Sequence, residues 1–184
     1  IQNVPDQVTT WVNQSQREAG SPFFAPRADV VVSSGRLYWA RGDSALLVRF
    51  DGSRTDTLRW DWPLRQVSEN DLEVFRANVL ARRPKASHPA LNRLFEVLPV
   101  QDEFPVIEKL VPDLDGGIWV HLYPTPRDTT QTYLRLDGDT VVCRVQLPRG
   151  FTATEGGRSW LLGVATDQMD VPRVERWRIG PNTH

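Results

Sequence analysis

With 184 residues, 40% of them hydrophobic and 24% charged, the chain is long enough to bury a substantial core, and one domain is the expectation. A formal net charge of −1 supplies no field that would draw it onto nucleic acid or an anionic lipid surface. No apolar run approaches the roughly 18 residues that a membrane-spanning helix needs.

Only Lys85 and Lys109 are lysines; the other basic residues are arginines, scattered along the chain, and genome composition accounts for them better than a carboxylate- or phosphate-binding cluster does. Cys143 is the single cysteine, which rules out an internal disulfide, and its apolar neighbours Val141, Val142 and Val145 predict a buried structural thiol. The chain begins at Ile1, so we expect it to be processed, trimmed or excerpted, and exported from the cytoplasm to the periplasm or beyond.

From Asp29 to Pro63 the residues read as a four-strand meander: Asp29–Val32, Arg36–Ala40, Ala45–Phe50 and Arg54–Trp60. Ser33-Ser34-Gly35 closes the first hairpin, Arg41-Gly42-Asp43-Ser44 joins the middle pair, and Asp51-Gly52 closes the third. Between Val67 and Glu103 the apolar period changes from two to about 3.6 residues. Ser68, with Asp71 three positions on, predicts a helix start, and Leu72, Phe75 and Val79 mark one face until Pro84 stops it. Pro89 suits the first turn of a second helix whose stripe is Leu91, Leu94, Phe95 and Leu98. Both stripes are expected to pack against the sheet.

Strand character resumes at Phe104, with Val106–Val111, Ile118–Tyr123, Thr132–Leu136 and Thr140–Leu147. This is the first meander again. Gly35-Arg36-Leu37-Tyr38-Trp39 matches Gly116-Gly117-Ile118-Trp119-Val120, and Val48-Arg49-Phe50-Asp51-Gly52 matches Leu134-Arg135-Leu136-Asp137-Gly138. A third copy, with three strands instead of four, runs through Phe151–Thr154, Ser159–Ala165 and Arg173–Ile179. The fold expected is therefore all-β with a small helical insertion, organised as a blade over 27–66, the insertion over 67–103, a blade over 104–148 and an incomplete closing blade over 151–180. The seven tryptophans, Trp11, Trp39, Trp60, Trp62, Trp119, Trp160 and Trp177, are expected to fill the wedges between neighbouring sheets, with an aromatic sugar platform as the alternative.

The segment Asp113-Leu114-Asp115-Gly116-Gly117-Ile118-Trp119-Val120 resembles the recurrent Asp-x-x-Gly-x-Ile-Trp-Val turn and second strand of six-bladed β-propellers of the NHL and TolB-like type, found in exported bacterial proteins. Leu161-Leu162-Gly163-Val164, Asp167 and Asp170-Val171-Pro172-Arg173-Val174 are similar to the closing blade of that group. The resemblance covers roughly Pro22 to Pro181 and implies propeller blades; its motifs are shared by propellers of unrelated function. A closed propeller needs at least four blades, and this chain offers about three. It is therefore expected to be part of a longer polypeptide or a larger assembly, with a protein partner or self-association completing the ring.

On that topology one face carries the loops Arg41–Ser44, Tyr123–Asp128 and Ala165–Asp170 together with the insertion, while the opposite face has only short turns. Arg41, Asp43, Arg127, Asp128, Asp167 and Asp170 form the candidate binding group, although charged loop tips are ordinarily just solvated. His121, in a predicted strand, joins them as a candidate ligand or acid/base group, set against an ordinary sheet histidine.

With His88, His121 and His184 too separated for a zinc pattern, and no nucleophile elbow, phosphate loop or His-Glu-x-x-His, no catalytic or metal residue is assigned. Asp113 and Asp115 offer a calcium-like Asp-x-Asp-Gly that lacks the remaining ligands, so turn formation is preferred and no cofactor is expected. The leading expectation is a non-catalytic binding or scaffold module that recognises a protein partner or ligand through the insertion-bearing face. The alternatives are a propeller enzyme, a metal-dependent lactonase or a lyase of the streptogramin-lyase kind, and a structural subunit of a large assembly.

Overall fold

The computed structural model describes residues 9–13, 16–166 and 171–180, with side chains from residue 21 onward. They divide into two compact units. One gathers the described residues up to 25 with 64–104 and 125–127; the other holds 26–63, 105–124 and the described residues from 128 onward.

The smaller unit opens with a hairpin of β1 (Thr9–Asn13) and β2 (Gln16–Gly20), an element that no sequence signal announced. Its helix α1 (Glu69–Ala81) starts at the expected capping box. Ser68 accepts from the Asp71 amide, and Asp71 accepts in return from the Ser68 amide. Pro84 ends that stretch, and α2 (His88–Val97) carries Pro89 in its first turn. His88 Nε2 lies 3.0 Å from the Leu80 carbonyl and 3.1 Å from that of Arg83, satisfying two acceptors at the end of α1. The apolar faces of the two helices bring Phe75 and Phe95 into an aromatic cluster. Phe75 sits edge-on to Phe23, Phe24 and Phe95, and Phe24 to Phe104, with centroids 4.9–6.1 Å apart.

The larger unit is all-β. Its first sheet is the meander β3 (Asp29–Ser33), β4 (Arg36–Ala40), β5 (Leu46–Phe50) and β6 (Thr55–Arg59). The second is β7 (Ile107–Pro112), β8 (Ile118–Leu122), β9 (Thr130–Asp137) and β10 (Thr140–Pro148). The third has three strands, β11 (Phe151–Gly157), β12 (Trp160–Thr166) and β13 (Pro172–Arg178). Every pairing inside these sheets is antiparallel between consecutive strands, so the three sequence repeats fold as three separate sheets and not as one barrel.

Two apolar clusters lie between the sheets. Tyr38, Ala40, Leu47 and Leu58 of the first sheet pack on Leu110, Ile118, Val120, Leu122, Leu134 and Leu136 of the second. The opposite face of the second sheet places Val111, Trp119, Tyr133, Cys143 and Leu147 against Phe151, Ala153 and Leu161 of the third. Each face follows from the period-two alternation of its strands. Trp119 is a fully buried wedge, its Nε1 donating to the Gly157 carbonyl at 3.1 Å. Gly156 permits this, since a Cβ there would stand 2.7 Å from that same nitrogen.

Directional bonds set the order and orientation of the sheets. The Leu110 amide donates to Asp29 Oδ2 (2.6 Å) and the Asp113 amide to Ser33 Oγ (2.8 Å), so β3 and β7 run in the same direction. Asp113 bridges in parallel to Gly156, with the Leu114 amide donating to the Gly156 carbonyl at 2.8 Å, so β11 runs that way too. Asp113 is completely buried, and Arg135 Nε from β9 donates to its Oδ2 at 2.5 Å. The Asp115 amide donates to Asp113 Oδ1 (2.7 Å), and Asp115 Oδ2 accepts from the Arg158 amide of the third sheet (2.7 Å). The turn reading of these two aspartates thus acquires a second role, as the joint at which all three sheets meet.

Removing one partner of a buried ion pair strands the other, at a cost of about 3–5 kcal/mol. Asp113→Ala and Arg135→Ala are each expected to lose that much stability in urea unfolding followed by tryptophan fluorescence, and the double variant to lose clearly less than the sum.

Candidate functional site

Because β3, β7 and β11 are co-directional, the ends of β4, β8 and β12 lie at one end of the larger unit. The β4–β5 loop is held there by its backbone. Gly42, at φ +84°, has its carbonyl accepting from the Val106 (2.8 Å) and Ile107 (3.1 Å) amides, and a Cβ would collide with the Arg27 carbonyl at 2.5 Å. On this anchored turn Arg41 Nη2 pairs with Asp43 Oδ2 at 2.9 Å, and Ser44 Oγ donates to Asp43 Oδ1 at 3.0 Å. Two of the expected site residues are therefore fixed to each other on a backbone held by the next sheet.

Beside them lies an open depression of about 410 Å³ lined by Ser44, Ala45, Leu46, Arg59, Trp60 and Asp61. Its two walls are the start of β5 and the end of β6, tied by the Trp60 amide donating to the Ala45 carbonyl at 3.3 Å. Arg59 and Asp61 reach solvent from the β6 wall, and the Trp60 indole packs on the first intersheet core with its Nε1 buried and unpartnered. Arg59 and Asp61 escaped the sequence reading, which looked only at the loop itself, and Trp60 was read there as a wedge or a sugar platform; the register of β5 on β6 is what carries them to it.

The remaining candidates scatter. Arg127 belongs to the helical unit, where its Nε pairs with Asp71 Oδ1 at 2.7 Å. Desolvation alone would raise the Asp71 carboxyl, but the Ser68 hydroxyl and amide and the Arg127 charge hold it below the usual carboxylate range. Asp128 lies in the β unit, its carbonyl accepting from Arg149 Nη1 at 2.9 Å. Asp167 and Asp170 lie outside the described residues.

His121 is interior. It stacks on Tyr133 at 4.4 Å, sits opposite Lys109 in the ladder, and faces the third sheet. Burial pushes its pKa down to about 4, with Gln131 opposing the shift and Lys109 adding to it, while burial pushes the Tyr133 hydroxyl up to about 12. Gln131 Nε2 donates to the Phe151 carbonyl, and Tyr133 Oη accepts from the Ala153 amide at 3.3 Å, so this row joins the second and third sheets. Cys143, in the same intersheet layer, is buried and its thiol is raised by desolvation, the inert character expected of it. Among the described residues no three His, Cys, Asp or Glu side chains converge as metal ligands would, and no helix is long and apolar enough to cross a membrane. No family model, curated protein or solved structure matches this chain.

A histidine with a folded pKa near 4 and an unfolded value of 6.5 binds its proton only on unfolding in between. Its contribution is therefore complete above pH 6.5 and is lost as the pH falls towards 4, by about 3 kcal/mol in all. Urea unfolding free energies of the wild type and His121→Phe, measured between pH 7 and 4.5, are expected to diverge, the wild type showing the steeper loss.

Proposed function

We propose that this chain is a non-catalytic binding module built of propeller-type blades, acting outside the cytoplasm, and that it recognises a protein partner through the end of the β unit bearing the β4–β5 loop. The observation that carries this reading is the asymmetry between the two ends. At the turn end, Ser33, Asp113, Asp115 and Gly156 spend their polar groups joining the sheets. At the loop end, Gly42 fixes a charged turn beside an open depression whose Arg59, Asp61 and Ser44 have no such task. Rigid backbone under exposed polar side chains lowers the ordering cost of binding. The most perturbed titratable groups, His121 and Tyr133, lie instead between two sheets, where they support a role in packing.

A depression that mixes Arg59 and Asp61 around an apolar floor of Ala45, Leu46 and Trp60 suits a peptide segment carrying both a charged and an apolar side chain. Proteins captured on the immobilised chain from its own source extract are the readout. Arg59→Glu together with Asp43→Arg is expected to reduce the captured partner at least tenfold, whereas Asp51→Asn with Gly52→Ser, at the turn end, leaves it unchanged. Loss through the turn variant with retention through the loop variant would overturn the reading.

A further inference from the structure

The two intersheet layers repeat the same arrangement, and the repeat leaves half a layer bare at each end of the stack. In the matched segments Leu37 corresponds to Ile118, Tyr38 to Trp119, Trp39 to Val120, Val48 to Leu134 and Phe50 to Leu136. By hairpin position Leu161 and Leu162 of the third sheet occupy the places of Leu37 and Tyr38. Tyr38 and Trp119 both point towards the sheet that follows, and Ile118 and Leu161 both point towards the sheet that precedes.

The face of the first sheet that would meet a preceding sheet is exposed, with Val30 at 55%. Its ladder rows are Val30–Trp39–Val48 and Val32–Leu37–Phe50, continuous across three strands and without a charge. Leu37 is 39% exposed and Phe50 41%, whereas their counterparts are sealed, Ile118 and Leu136 at 1% in the first layer and Leu161 at 0% in the second; Val32 beside them is 63% exposed. The outer face of an antiparallel sheet in water is ordinarily polar, and an apolar patch of this kind marks a contact surface. At the other end, the third sheet turns Trp160, Leu162, Val164, Val174, Arg176 and Arg178 away from the second, with Val174 76% exposed and Arg176 over the Trp160 ring at 4.8 Å. By repeat position this is the face that the second sheet turns to the third, with Arg176 in the place of Arg135, so one chain presents both faces of an interface that it forms twice.

We infer that a second copy of this chain covers the first-sheet face with its own third sheet, and receives in return, so that two chains associate head to tail. A contact between two different surfaces either closes or grows into a filament. Closure here rests on the propeller reading, since two chains of three sheets make a ring of six, within the usual four to eight blades.

The native mass of the purified full chain, by light scattering at tens of micromolar, is expected at about twice 21.0 kDa. Val32→Lys with Phe50→Lys, on the first face, and Leu162→Lys with Val174→Lys, on the other, are each expected to give monomers with unchanged far-UV circular dichroism. Mixing the two variants is expected to restore a dimer of weaker affinity, because one intact contact remains; only a head-to-tail arrangement behaves this way. A wild-type monomer overturns the inference, as does a dimer broken by the first pair alone. A ladder of masses instead of a stop at two would retain the head-to-tail seat and overturn the closed ring, and with it the propeller reading.

Discussion

The buried pair between Asp113 and Arg135 is the constraint on which the β unit turns. Apolar burial holds sheets together but does not fix their angle or offset, since it is non-directional and proportional to area. The carboxylate of Asp113 supplies direction. It is taken out of water on a turn and neutralised by a guanidinium from β9, and the backbone groups of the same residue meet Ser33 of the first sheet. The same turn reaches the third sheet through Leu114 and Asp115. Such a pair contributes little net stability against an apolar replacement, and its value lies in admitting only one arrangement of its surroundings.

Everything at the far end of the strands inherits that alignment. Once β3, β7 and β11 run side by side in one direction, the ends of β4, β8 and β12 are obliged to lie together, and the short turns to lie opposite. Gly42 then performs at the loop end what Ser33 does at the turn end, by offering a carbonyl to the next sheet. The difference is that its neighbours Arg41, Asp43 and Ser44 bond one another instead of a second sheet, and so leave an orderly polar rim beside the depression at Trp60.

The intersheet layers are unlike in chemistry. The first is almost wholly aliphatic, whereas in the second Trp119, Tyr133 and Gln131 bond to backbone carbonyls and amides across the gap and His121 stacks on Tyr133. A polar layer is costly wherever a partner is missing. Its acid sensitivity follows from His121, which is neutral in the folded chain and must be protonated once exposed to acidic water. Outside the stack, the bare rows of the first sheet retain the pattern of a layer, aliphatic and aromatic, with no charge to keep them in solvent.

The sequence by itself determined what depends on near neighbours. Alternating residues set the strands, Ser33-Ser34-Gly35 and Asp137-Gly138 set the turns, Ser68 with Asp71 set the start of α1, and two matched landmarks disclosed the repeat. The buried cysteine and the wedge role of Trp119 were also legible, because each rests on local apolar context. Tertiary structure alone decided which polar residues were free for function. His121 read as a candidate ligand because a strand sequence does not show which face is covered, and Arg127 read as a loop tip because its partner Asp71 lies 56 residues earlier. Arg59 and Asp61 were invisible for the converse reason: strand register, a long-range property, carries them to the loop. Local sequence fixes conformation within a few residues, whereas burial and pairing are set by segments far apart along the chain.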